Sequence, residues 1–204
     1  MSDLVIGEDK LLRCSWAAST PELQRYHDQE WGRPVGDDDR VFEKVCLEGF
    51  QSGLSWLTIL RKRDGFRRAF ASFDPTVIAD FDDADVDRLL ADTGIVRNQA
   101  KIRATITNAQ ATIGLREKGI SLAGLLWKYE PGASRAPTSM SALPASTPES
   151  KALSAELRND GFRFVGPTTV YAAMQSLGVV NDHLVGCHFR EIVQSSRANF
   201  TVPR

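Results

Sequence analysis

The sequence contains few cysteines, no excess of charge and no long apolar segment. Its 204 residues include 25 Lys and Arg, 26 Asp and Glu and three Cys, and 42% of them are hydrophobic. This composition is typical of a globular domain and excludes a disordered, collagen-like or disulfide-stapled chain. No apolar run approaches the roughly 18 residues of a membrane span, and the N-terminus lacks the pattern of a signal peptide. We therefore expect a soluble, cytoplasmic protein with no membrane partner.

Alternating strand patterns are also absent, whereas helix signals occur along most of the chain. A segment rich in Pro, Ser and Ala, residues 129–147, predicts a long loop with few packing residues. We expect a nearly all-α protein of about eight or nine helices: a single domain at 13–190, an extension at 1–12, a tail at 191–204, and both chain ends outside the core. Caps and apolar spacing predict helices at about 20–31, 37–49 or 37–53, 55–63, 74–78, 84–92, 97–115, 148–159 and 168–177.

Two histidines and two cysteines form a pattern that links the two ends of the chain. Cys14 and His27 are 13 positions apart, and His183 and Cys187 are four apart, which places the second pair on one face of a helical turn. Two thiolates and two imidazoles are a tetrahedral set that Zn²⁺ prefers, and a filled set leaves no position for water. The pattern predicts a structural zinc site. The alternative is that the cysteines are buried thiols and the histidines ordinary core or surface residues.

Glu48 is an acid at the end of an apolar helix, and aromatic residues are concentrated before and after it. Three of the four tryptophans, Trp16, Trp31 and Trp56, lie between residues 16 and 56, together with Tyr26. Aromatic rings around one acid could hold a flat, electron-poor ring by stacking and cation–π attraction. Ordinary core packing explains the same residues and is the alternative.

A basic run, RKRDGFRR at 61–68, carries five cations and one anion. The usual explanation of such a run is a solvated helix face. The helices around residues 93–96 form a hairpin that adds Arg97, Lys101 and Arg103. Glycine turns and helix N-termini expose backbone N–H groups that bind phosphate, so this region could bind duplex DNA despite a net charge of −1.

Six motifs, in order along residues 13–187, resemble those of the bacterial DNA-3-methyladenine glycosylase I family. The resemblance implies a helix-hairpin-helix glycosylase fold, with the hairpin near residues 89–102 and a zinc site joining the N- and C-terminal segments. The hairpin lacks the fuller glycine motif and the following aspartate of other superfamily members, as in this family itself. The motifs are RCSW at 13–16, YHDQEWG at 26–32, CLEGFQSGLSW at 46–56, GIVRNQAKI at 94–102, GFRFVGPTT at 161–169 and NDHLVGC at 181–187.

The resemblance also implies roles for individual residues. Glu48 matches the carboxylate that recognises the base, and Tyr26 and Trp56 match the stacking pair; these three are our candidate catalytic residues. Trp16 and Trp31 match aromatics of the same pocket. A structural Zn²⁺ is assigned to Cys14, His27, His183 and Cys187. DNA contacts are assigned to Gly53, Leu54, Gly94, Arg97 and Lys101, and among these Gly53 and Leu54 fill the gap left by a flipped nucleotide. Leu23 lies at the pocket rim, where the family would have an aromatic residue.

The implied activity is hydrolysis of the N-glycosidic bond of 3-methyladenine in alkylated double-stranded DNA, without strand cleavage, by a monomeric enzyme that releases the free base. Two alternatives share some of these features. A zinc-stabilised helical module that binds nucleic acid without catalysis explains the metal ligands, the basic run and the hairpin. A zinc hydrolase would use the metal as a Lewis acid, but it requires an open coordination position.

Overall fold

The computed structural model describes residues 3–132 and 136–203, and within them nearly all of the regular secondary structure is helical. Two short strands, β1 (Leu4–Ile6) and β2 (Leu12–Cys14), pair antiparallel, and 3₁₀ turns occur at Ser15–Ser19, Ala71–Phe73 and Met140–Ala142. No described helix is long and apolar enough to cross a bilayer. The helices are α1 (Pro21–Gln29), α2 (Asp38–Gln51), α3 (Trp56–Ala69), α4 (Pro75–Ala79), α5 (Asp83–Ala91), α6 (Gln99–Glu117), α7 (Leu122–Trp127), α8 (Pro148–Asn159), α9 (Pro167–Ser176) and α10 (Phe189–Ala198).

Short polar side chains fix the starts of the helices that carry the site. The side chains of Thr20, Asp37 and Ser55 each accept a hydrogen bond from the backbone N–H three residues later, at 3.2, 3.0 and 3.2 Å. Each bond satisfies one of the N–H groups that a helix start leaves without a partner. The predicted starts of α1, α2 and α3 are confirmed.

Helix α2 lies in the centre of the molecule and packs against α3, α6, α7 and α9. Its side chains from Val45 to Phe50 are all buried, and Glu48 is the one carboxylic acid among them. The ring of Phe50 lies 4.6 Å from that of Phe66 on α3, and Phe70 continues this aromatic cluster. A carboxyl group in such a position loses contact with water, which costs free energy unless the group is hydrogen-bonded, paired with a cation or neutralised.

The predicted hairpin is formed by α5, the turn at 92–98 and α6. The turn packs tightly on α3: a Cβ atom added to Gly65 would lie 2.4 Å from the carbonyl oxygen of Gly94. The Lys62 ammonium donates to the carbonyl oxygen of Thr93 at 2.7 Å, and the amide of Gly94 donates to the Asp92 carboxylate at 2.6 Å. The hairpin turn is therefore held by close backbone contact with α3.

The predicted nearly all-α fold is confirmed, and the two short strands are the only β structure among the described residues. The structure corrects two other expectations from the sequence. The described residues form ten helices rather than eight or nine, because α7 and α10 were not expected. Both chain ends were expected outside the core, but α10 buries Phe189 and Val193, and the ring of Phe200 lies 4.7 Å from that of Trp127. Apolar residues at helical spacing in the last sixteen residues, 189–204, explain this packing. The domain boundaries at 12/13 and 190/191 stay predictions, and α10 crosses the second.

Candidate functional site

The four predicted metal ligands come together in one buried cluster. One possible ligand atom from each of Cys14, His27, His183 and Cys187 lies within 4.8 Å of all the others, and the four residues are at most 4% exposed. Cys14 ends β2, His27 lies in α1, and the other two precede α10. Residues from the two ends of the chain, 156 to 173 positions apart, thus form a set that could hold a metal ion.

The hydrogen bonds of the two imidazoles leave one nitrogen of each ring directed into the cluster. Nδ1 of His27 lies 2.8 Å from the Asp28 carboxylate, so it carries the proton, and Nε2 faces the cluster. Nε2 of His183 donates to the carbonyl oxygen of Trp31 at 3.1 Å, so Nδ1 faces the cluster. The two inward nitrogens are 3.1 Å apart. Outer hydrogen bonds of this kind fix the tautomer that metal-binding histidines need.

Asp28 is itself fixed by an ion-pair network that the sequence did not reveal. Its carboxylate accepts hydrogen bonds from the Arg13 guanidinium at 2.8 and 3.0 Å, and Arg13 also binds Asp9. Arg13 is only 3% exposed. Since Arg13 and Asp28 adjoin ligands Cys14 and His27 in the chain, adjacency to a predicted ligand was the only sequence signal for this network.

The five predicted base-pocket residues line one cavity of about 520 Å³. The rings of Trp16 and Trp31 meet edge to face at 5.1 Å, and the Trp16 ring also contacts His27 of the metal-ligand cluster at 5.2 Å. Leu23, expected at the rim, also lines the cavity. A larger cavity, of about 740 Å³, lies beside Asp182 and includes none of the predicted site residues.

Glu48 is the buried acid of this cavity. Burial raises the pKa of its carboxyl group from 4.5 to about 7, although the positive charge of Lys44 and a hydrogen bond with Ser176 oppose the rise. Tyr26 is 3% exposed, and burial together with the negative charge of Glu48 raises the pKa of its phenol. A carboxyl group that titrates near neutrality inside an aromatic cavity is typical of a functional site.

Tyr26 and Trp56 lie against each other, with ring centroids 5.2 Å apart and planes inclined by 45°. A flat base inserted between two rings would need about 7 Å, because each stacked contact requires about 3.5 Å. In this conformation the pair therefore leaves no slot between the two rings.

Lys44 was not singled out from the sequence, yet it contacts both aromatic rings. Its ammonium group lies 4.7 Å from the centroids of both Tyr26 and Trp56 and donates to the Tyr26 hydroxyl at 3.2 Å. Burial lowers its pKa from 10.5 to about 8. The available signal was its position four residues before Glu48, which places both side chains on the same helix face.

Two further residues of the cavity wall come from the segment that was expected to be a loop with few packing residues. Met140, in the last 3₁₀ turn, and Leu143 both line the cavity. The amide of Met140 donates to the Asp3 carboxylate at 3.2 Å, and the amide of Val185 donates to the carbonyl oxygen of Pro137 at 2.8 Å. These contacts hold the segment over the cavity, a position that composition did not indicate.

The predicted DNA-contacting residues occupy different environments. Leu54 is 43% exposed, and Gly53 has a positive φ of 79° in the turn before α3. Arg97 is exposed in the hairpin turn, and among the described residues no carboxylate lies within ion-pair distance of it. Gly94 packs on α3, as described above. Lys101 is 8% exposed and donates to two backbone carbonyl oxygens, so its ammonium group does not face solvent.

The basic run at 61–68 is largely neutralised by acidic partners. Arg61 binds Glu22 at 3.0 Å, and Arg67 binds Glu43 at 2.8 Å. Arg63 binds Glu30 through two hydrogen bonds. These three arginines pair with acids of α1, its C-terminal cap and α2, so most of the run is not a free basic surface.

Comparisons with known proteins agree with this geometry. Residues 16–191 match the family model described as methyladenine glycosylase. The chain is 44% identical over 178 residues to DNA-3-methyladenine glycosylase 1 of Escherichia coli (strain K12), covering 86% of this chain and 95% of that protein. A crystal structure of 3-methyladenine DNA glycosylase I superposes with a TM-score of 0.84 at 45% identity, over 86% of this chain and 98% of that one. A variant 3-methyladenine DNA glycosylase I in complex with 3-methyladenine superposes with a TM-score of 0.82 at 30% identity, over 87% and 97%.

Proposed function

The chain belongs to the methyladenine glycosylase family, and we propose that Glu48 and the aromatic residues around it are the pocket in which it binds 3-methyladenine. The protein is a DNA repair glycosylase that hydrolyses the N-glycosidic bond of this base in alkylated DNA. The observation that supports the pocket assignment is a buried carboxyl group in a cavity of about 520 Å³ lined by aromatic rings.

The base must leave the DNA stack before its glycosidic bond can be reached, and a damaged base costs less to extrude. Methylation at N3 gives the base a positive charge within the nucleotide, so it leaves without protonation by the enzyme. Its ring stacks against the aromatic pair Tyr26 and Trp56, while Trp16 and Trp31 enclose it. Water attacks C1′ as the bond breaks.

Glu48 recognises the edge of the extruded base. Its carboxylate accepts hydrogen bonds from the base, and bonds of this kind to a charged acceptor are about twice as strong as neutral ones. The positive charge of the methylated base favours the ionised form of Glu48, while neutral adenine offers no such charge. Recognition of charge in a water-poor cavity thus separates damaged from normal bases.

A structural Zn²⁺ fits the four-residue cluster of Cys14, His27, His183 and Cys187. Two sulfur and two nitrogen donors in a closed, buried set are the ligands that this ion prefers. Bound zinc would supply folding free energy by joining the N-terminal strand to the segment before α10. The fixed tautomers of both imidazoles support this assignment.

The substrate is double-stranded DNA, bound along the face that carries Leu54 and the hairpin. The exposed Leu54 side chain enters the gap left by the flipped nucleotide, Gly53 allows the turn its positive φ, and Arg97 and the turn at Gly94 contact phosphate groups. A monomer in the bacterial cytoplasm suits an enzyme that scans chromosomal DNA.

The test is release of free bases from methylated duplex DNA, followed by chromatography. The wild type is compared with Glu48→Gln and with Glu43→Gln, a control on the same helix whose carboxylate binds Arg67 outside the cavity. We expect the wild type and the control to release 3-methyladenine and Glu48→Gln to release it more slowly. If the folded, metal-loaded wild type releases no base, the protein is a nucleic-acid-binding module without catalysis.

A further inference from the structure

A buried lysine connects the helical hairpin to the end of α2. Lys101 lies in the first turn of α6 and is 8% exposed. Its ammonium group donates to the carbonyl oxygen of Phe50 at 2.8 Å and to that of Ser52 at 2.6 Å. These carbonyl groups belong to the last turn of α2 and its C-terminal cap, where backbone acceptors lack partners within the helix. The positive charge at this end also complements the helix dipole.

The two bonded carbonyl groups directly precede the turn that carries Leu54. In this turn Gly53 has a positive φ, the Leu54 amide donates to the carbonyl oxygen of Gln51 at 2.6 Å, and the Leu54 side chain is 43% exposed. A Cβ atom on Gly53 would have no neighbour within 4 Å, so little packing holds the outer part of the turn. Its direction therefore depends on how its base is anchored.

The hairpin side of this connection is rigid. The Asn98 side chain accepts a hydrogen bond from the Lys101 amide at 3.1 Å, which fixes the start of α6. Gly94 packs against Gly65 on α3, and Lys62 binds the hairpin turn from the same helix. Lys101 thus links a fixed element to a weakly packed turn.

We propose that Lys101 is a positioning residue that orients the Leu54 turn relative to the hairpin. Leu54 can then fill the gap left by the flipped nucleotide while the hairpin binds the backbone of the same duplex DNA. This inference rests on the proposed function. It also assigns Lys101 a role other than the phosphate contact expected from the sequence. Two of the three N–H donors of its ammonium group are already used by backbone carbonyl oxygens inside the protein.

The test is a double-mutant cycle on single-turnover excision of 3-methyladenine from methylated duplex DNA. Lys101→Met keeps the length of the side chain and removes the donors, and Leu54→Ala removes the gap-filling group. We expect Lys101→Met to lower the excision rate about tenfold, the scale of one or two lost charge-assisted hydrogen bonds. In the Leu54→Ala background the same change should have little further effect, because both act through one turn.

Three controls separate positioning from general damage. Free 3-methyladenine should bind Lys101→Met as tightly as wild type, since the cavity does not include this residue. Lys101→Arg, which keeps charge and donors, should recover part of the rate. Lys118→Met removes an exposed lysine near the end of the same helix and should leave the rate unchanged. If Lys101→Met does not fold, Lys101→Gln takes its place in the cycle.

Several results would overturn the inference. Rate losses that multiply in the double variant would show that Lys101 does not act through Leu54. A parallel loss of free-base affinity would indicate a disturbed pocket, and an unchanged rate with a lower melting temperature would indicate a purely structural bond. No excision by the wild type would instead refute the proposed function.

Discussion

Replacing Glu48 by Gln should remove a pH-dependent loss of stability that the wild type carries. The two side chains have nearly the same shape, so the change leaves the packing of α2 intact and removes only the ability to ionise. Because Glu48 is 5% exposed, its ionised form lacks the water that surrounds a carboxylate in the unfolded chain. The charged site therefore lowers the free energy of unfolding.

The size and direction of the effect follow from the pKa. Burial raises the pKa of Glu48 from 4.5 to about 7, and such a difference corresponds to about 3 kcal/mol. Below pH 4.5 the carboxyl group is protonated in both states and contributes nothing. Between pH 4.5 and 7 the folded state holds more protons than the unfolded state, so stability falls as the pH rises, and it levels off above pH 7. Lys44 changes its protonation at higher pH, between about 8 and 10.5, so it does not contribute to the change in stability between pH 4.5 and 7.

The assay is urea denaturation of both proteins, saturated with the same metal, at intervals from pH 5 to pH 8. We expect the variant to gain stability relative to the wild type by about 2–3 kcal/mol across this range. A difference that stays constant with pH would show that Glu48 does not titrate in the folded protein over this interval. The same result would remove the electrostatic argument for its role in charge recognition.

The metal centre and the hairpin give three further predictions. Cys14→Ala should lower both bound zinc, measured by atomic absorption, and the melting temperature, and full stability without zinc would refute a structural metal. Asp28→Ala removes the acceptor of the His27 Nδ1 proton and should weaken zinc binding about 10- to 100-fold in a chelator competition; an unchanged affinity would show that Asp28 does not hold the imidazole. Gly65→Ala places a methyl group 2.4 Å from the carbonyl oxygen of Gly94 and should cost about 1–3 kcal/mol in urea denaturation, whereas wild-type stability would contradict this close contact.

Local signals in the sequence located most of the helices. Caps such as Thr20 and Asp37 act within one helical turn, and apolar spacing reports burial of one face, so both can be interpreted without tertiary structure. The short helix α7 is apolar on all sides, so its sequence shows no alternation of apolar and polar residues at helical spacing. The strands β1 and β2 contain three residues each, too few for an alternating pattern. The failure to predict them follows from their length.

For the candidate site, too, local sequence and tertiary structure determined different features. The sequence by itself determined the residue types: Cys14, His27, His183 and Cys187 as a possible ligand set, and Glu48 as an acid in an apolar helix. Only the tertiary structure decided their neighbours. Packing over long separations sets distances, burial and pKa, and it determined that Lys44 contacts the aromatic pair. For the same reason the structure placed Lys101, predicted from the sequence to contact DNA, beneath the Leu54 turn. Burial depends on what folds over a residue, and local sequence does not encode that.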